Sequence, residues 1–169
     1  MIRALPFDSA FDTIFGLPVH ALVVHAVVVL VPLSALGAIV IALVPRWSRR
    51  FGVLVVLGAL AGTGAAFVAE RSGRQLASRV GYPETHGSLG EKEKWFAASL
   101  LIVTAALWWW DRSHAEQPRT VGIKVLAAIV IFVAITAAGW TIRTGHTGSE
   151  VVYDQIIQHT TPGQFPVPS

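Results

Sequence analysis

At 169 residues the chain has the length of one domain. Hydrophobic residues make up 53 % of it and charged residues 14 %, against roughly 25 % charged in soluble domains, and the mean hydropathy is +0.59. These values exclude a disordered chain and argue against a soluble enzyme. The absence of cysteine excludes disulfides, iron–sulfur clusters and covalently attached haem c. The net charge of +3 sits on basic residues that flank apolar stretches and form no basic face, so it reads as a membrane-topology signal and not as nucleic-acid binding.

A membrane-spanning helix needs about 20 mostly apolar residues, and the chain offers four such stretches. Residues 1–16 precede them as a short extracytoplasmic segment. The first span runs from Leu17 to Val44. Only Arg3 precedes it and no small-residue cleavage site follows, so it is not a signal peptide. Pro32 removes a backbone donor and predicts a kink within it. The brief loop Pro45–Arg50 makes a tight hairpin with the second span, Phe51–Ala69. There Gly58, Gly62 and Ala66 lie four apart, a stripe that lets a neighbouring helix approach closely.

A long polar loop, Arg71–Glu93, leads to the third and shortest span, Lys94–Trp110, which extends upstream to about Leu89. Asp111–Thr120 joins it to the fourth, Val121–Ile142, predicted to continue as helix to about Ile157. The proline-bearing tail, residues 158–169, is expected to be extended. The predicted fold is all-α: an integral membrane up-down-up-down four-helix bundle over residues 17–157.

The two short loops and their flanks carry Arg46, Arg49, Arg50, Arg112, Arg119 and Lys124 against only Asp111 and Glu116. On the other side the basic residues are spread over longer segments and offset by more acids. Basic density therefore predicts cytoplasmic short loops. The chain is expected to be a multi-pass protein of the cell (inner) membrane with both termini extracytoplasmic. Trp108, Trp109 and Trp110 would then form an inner aromatic anchor, and Trp95 and Trp140 an outer one.

At about 1.5 Å per residue across a hydrocarbon core of about 30 Å, His25, His86 and His146 come to one level at the outer boundary, and Glu70 joins them. His20 and His25 are five residues apart, about 140° around a helix, and cannot both point at one small centre. His146 and Glu150, four apart, share a face, and Gly145 and Gly148 clear space beside the histidine.

These residues carry a resemblance. Leu17-Pro18-Val19-His20 with His25, the pair His86-Gly87, and the run Gly145-His146-Thr147-Gly148-Ser149-Glu150-Val151-Val152-Tyr153 look like segments of a bacterial family of four-helix membrane proteins known as domain of unknown function 2231. The likeness extends from about Gly16 to Tyr153. Ala26-Val27 stand where the family often has Phe-Pro, Ser149 replaces a glycine, and Gln155 replaces a later histidine, which counts against a two-centre site. Relatives fused to cytochrome c or Rieske domains imply redox surroundings by association.

Three readings follow. In the first, two histidines clamp the iron of haem b within the bundle. The candidates are His25, His86, His146 and His20, paired as His25 with His146 or His86 with His146, and quinone or an external redox protein is the partner. In the second, His25, His86, His146 and Glu150 hold a divalent transition metal. In the third, the chain is a non-enzymatic accessory subunit, packing in the bilayer against a larger membrane complex or another copy of itself. No nucleophile–base pair, phosphate loop or zinc-protease signature is present, which argues against a hydrolase.

The orientation is open to a direct check. A cysteine placed by Ser169→Cys is expected to react with an impermeant reagent on intact cells; labelling only after lysis reverses the orientation.

Overall fold

The structure, a computed structural model, describes residues 13–14 and 17–159. Four helices dominate: α1 (Val19–Leu43), α2 (Pro45–Val80), α3 (Glu84–Ser113) and α4 (Val121–His159). Ahead of them β1 (Thr13–Ile14) and β2 (Leu17–Pro18) form a two-residue antiparallel ladder, Thr13 opposite Pro18. Most of the expected N-terminal segment, and residues 160–169 of the tail, lie outside the described residues. Gln158 and His159, assigned to that tail, are the last residues of α4.

Each helix packs on its sequence neighbours, and α4 closes the ring against α1, while the α1–α3 diagonal touches only lightly. This is the expected up-down-up-down bundle. Among the described residues three helices are long and apolar enough to cross a membrane: α1, α2 and α4. The third expected span is the exception. The first three turns of α3 carry Glu84, Glu91, Lys92, Glu93 and Lys94, leaving Trp95–Trp110 as its apolar run.

The connections are tighter than the sequence suggested. Pro45 begins α2, where a proline at the first helical position loses no hydrogen bond. The expected loop Pro45–Arg50 is therefore the first turn and a half of a helix, and Val44 alone makes the corner. The long polar loop shrinks as well. α2 continues to Val80, α3 starts at Glu84, and Gly81 turns the chain with φ of 96°, a value that favours glycine. Leaving the apolar layer is not leaving the helix. At 1.5 Å per residue, the 36 residues of α2 and the 39 of α4 outreach a hydrocarbon core of about 30 Å.

The core is built from small side chains. Val27, Val31, Ala35, Ala38 and Ala42 recur along one face of α1 and meet Ala66 of α2, Ala97 and Leu100 of α3, and Val130, Ala134 and Ala137 of α4. Large apolar residues such as Leu33, Leu54, Ile102 and Phe132 point outward. Ile41, Leu100 and Leu107 are large residues within the core, but mostly small residues inside with large ones outside is the pattern of helices packed in lipid. The glycine stripe does face α1: a Cβ on Gly58 would stand 2.9 Å from Ser34 Oγ, and one on Gly62 3.1 Å from Val31 Cγ2. The aromatic anchors are only partly at the surface. Trp109 is exposed, whereas Trp110 stacks on His114 at 3.8 Å and Trp140 stacks on Phe96 at 4.5 Å.

The short-loop end is tied by Arg119. Its Nε donates to Asp111 Oδ1 at 2.9 Å and its Nη2 to Asp111 Oδ2 at 2.5 Å. The same guanidinium donates to the carbonyls of Ile41 at 2.9 Å and Ala42, which close α1. Asp111 is only 3 % exposed. Removing one member of such a pair strands the other charge. Arg119→Ala is thus expected to lower unfolding stability in mixed micelles by about 3–5 kcal/mol. Adding Asp111→Asn should recover part of that loss. An Arg119→Ala protein as stable as the wild type would show that this pair does not hold the helix ends.

Candidate functional site

At the other end of the bundle, the imidazoles of His20 from α1 and His86 from α3 face each other with ring centroids 6.3 Å apart in an edge-on arrangement. Each is held by a backbone carbonyl of a neighbouring helix. His20 Nδ1 lies 2.9 Å from the Ala69 carbonyl oxygen on α2. His86 Nδ1 lies 3.1 Å from the Thr144 carbonyl oxygen on α4, with Thr147 Oγ1 at 3.4 Å. A carbonyl oxygen only accepts, so Nδ1 must carry the proton in both rings. In the neutral imidazole this leaves Nε2 as the free lone pair.

Glycines make this approach possible. A Cβ on Gly73 of α2 would stand 2.9 Å from His20 Cε1, and one on Gly148 of α4 would stand 2.9 Å from His86 Cε1. All four helices thus contribute: two bring an imidazole, and two bring a carbonyl and a glycine notch.

Charged groups flank the pair. Lys94 Nζ lies 2.5 Å from Glu70 Oε2, and Arg74 pairs with the other oxygen of Glu70. Glu70 is thus an ion-pair residue. Glu93 is only 5 % exposed and accepts a hydrogen bond from Thr141 Oγ1 at 2.5 Å. Its Oε2 has no hydrogen-bond partner among the described residues. The Trp140 indole donates to the Leu89 carbonyl at 3.1 Å, locking α4 to α3 next to the histidines.

Of the four histidines singled out from the sequence, the structure joins His20 with His86 and leaves His25 and His146 apart from them. His25 is exposed and bonds the Ala21 carbonyl of its own helix at 2.5 Å. His146 does share a face with Glu150, Nε2 to Oε1 at 3.3 Å, but their side chains are 74 % and 61 % exposed. No hydrogen bond or ring contact among the described residues joins His25 to His146 or His86 to His146. Among the described residues no three His, Asp or Glu side chains converge to hold a metal ion. The reason is rotation: His20 and His25 are about 140° apart on α1, and the inward one is His20. Gly73, Thr144 and Thr147 carried no signal of their own, because each acts by where its helix places it.

Fold and polar end together define a small helical-bundle membrane protein. More particularly, the chain belongs to the family described as predicted membrane protein (DUF2231), whose family model matches residues 16–161. No curated protein and no solved structure matches the chain.

The notches make a specific demand. Gly73→Ala and Gly148→Ala should force the adjacent imidazole to swing and to lose its carbonyl bond, at about 1–3 kcal/mol each. Gly64 on α2 has nothing within 4 Å of an added Cβ. Gly64→Ala should therefore be neutral or stabilising by up to about 1 kcal/mol. Unfolding in mixed micelles checks all three; equal effects would show that the notches are not filled.

Proposed function

We propose that this membrane protein transfers electrons through a metal held by His20 and His86, with the iron of haem b as the occupant. The observation that supports this reading is the pair itself. Two imidazoles on different helices stand with ring centroids 6.3 Å apart, each with Nδ1 committed to a carbonyl and Nε2 without a hydrogen-bond partner among the described residues. Carbonyl partners of this kind orient a ligating imidazole and raise its basicity. When bound, haem iron supplies a one-electron couple. The Ala69 and Thr144 carbonyls hold the two tautomers, and the Gly73 and Gly148 notches set the depth of the rings. With cytoplasmic short loops, the pair faces the outer side of the cell membrane, in reach of a quinone or an external redox protein.

A second reading keeps the same two nitrogens and replaces haem by a bare transition-metal ion. The close fit of His20 against Gly73 and of His86 against Gly148 favours it, since a porphyrin has to part the helix ends. Imidazole suits iron, copper, nickel and zinc alike.

The test is a reduced-minus-oxidised visible spectrum, with metal content by mass spectrometry, on protein expressed with haem precursor and metals supplied. A haem signal is expected in the wild type, lost in His20→Ala and His86→Ala, and kept in His25→Ala, His146→Ala and Glu150→Gln. Far-ultraviolet circular dichroism confirms that each variant is folded. Loss in His146→Ala with retention in His20→Ala overturns the pairing. Stoichiometric metal without haem selects the bare ion. Absence of both leaves a non-enzymatic subunit of a membrane complex.

A further inference from the structure

At the short-loop end, a groove of about 810 Å³ opens between α1, α4 and the α3–α4 connection. Its floor is apolar. Ala127, Ala128 and Ile131 of α4 line it together with Ala42 and Leu43 of α1. Residues 124, 127, 128 and 131 are spaced as one face of a helix, so the floor runs about two turns down α4, roughly 10 Å. It passes the exposed lipid-facing side chains Val125, Ile129 and Phe132.

The mouth is basic. Arg119 lies in the wall, but its charge is matched by Asp111 and its donors are taken by two carbonyls. Arg49 and Lys124 are different. Arg49 donates to the Ala115 carbonyl at 2.9 Å and meets no carboxylate among the described residues. Lys124 is exposed, and its ammonium has no partner among them. Glu116 is the one lining acid besides Asp111. Two unmatched cations thus stand over an apolar trough that leads into the membrane-facing surface.

We propose that this groove binds an anionic phospholipid, its phosphate held by Arg49 and Lys124 and an acyl chain laid along Ala127, Ala128 and Ile131. The charges match a phosphodiester, and basic pockets between membrane helices take such head groups. The apolar floor distinguishes a lipid from a free anion, since inorganic phosphate has nothing to place there. The site is at the opposite end of the bundle from the histidines and stands independently of their function.

Delipidated protein in detergent, titrated with phosphatidylglycerol, phosphatidylcholine or inorganic phosphate, tests this by native mass spectrometry and thermal melts. Phosphatidylglycerol is expected to bind in a defined 1:1 adduct and to raise the melting temperature; phosphatidylcholine and phosphate should do neither. Lys124→Gln, which breaks no contact within the bundle, should weaken phosphatidylglycerol binding about fivefold, as should Arg49→Gln. Ala128→Phe, which fills the exposed trough and leaves both cations, should weaken it too. Equal binding of the two lipids overturns the proposal. So does wild-type phosphatidylglycerol affinity in both Lys124→Gln and Arg49→Gln. Displacement of the lipid by phosphate alone would mark an anion site without a lipid.

Discussion

The buried guanidinium of Arg119 is the constraint on which the bundle's geometry turns. Three separate segments end at it: the last turn of α1 through Ile41 and Ala42, the last turns of α3 through Asp111, and the strand of chain entering α4 that carries Arg119 itself. A helix end leaves carbonyls without partners, and in an apolar setting each is costly. Here one side chain satisfies two of them and is neutralised by a carboxylate from a third direction. The pair cannot shift along any helix without exposing a charge or orphaning a carbonyl, so it fixes the relative height of α1, α3 and α4. Helix α2 is tied to α1 by the one-residue corner at Val44.

From that fixed end, the small-residue core carries the register upward. Alanine and valine at the contacts allow close backbones, and close backbones leave little freedom to slide. The consequence appears at the far end, where the His20 and His86 rings sit in notches that only glycine leaves open. A turn's slip of α1 against α2 would drive His20 off Gly73 and away from the Ala69 carbonyl. The precision of the histidine pair is thus inherited from an ion pair at the other end and from the alanine ladder between them.

Hydropathy made the four helices, their antiparallel order and the Gly58–Gly62–Ala66 contact face legible, because lipid imposes those patterns strongly. It left the helix ends illegible. Arg71–Val80 and Glu84–Glu93 are polar, yet they stay helical beyond the apolar layer, since a hydrated backbone can keep its helix when neighbouring helices continue beside it. The site was half legible for a related reason. Depth put His25 level with His86, whereas the ring beside His86 is His20, because depth ignores rotation. His20 was separable from His25 by the angle between them, but choosing the inward one needed the position of α2. No property of Thr144 or Gly73 as a residue type announces a carbonyl or a notch.

The donor set itself limits the chemistry. A catalytic zinc site takes three protein ligands and keeps one position for water, and among the described residues no third His, Asp or Glu joins His20 and His86. Of the other carboxylates at this end, Glu70 is committed to Lys94 and Arg74, and Glu93 accepts from Thr141 through Oε1. What remains is the two imidazoles, each braced through Nδ1 by a carbonyl. In the proposed electron-transfer reading, the carbonyl braces and glycine notches of α2 and α4 would hold the two imidazoles in one arrangement while a bound centre changed charge by one electron.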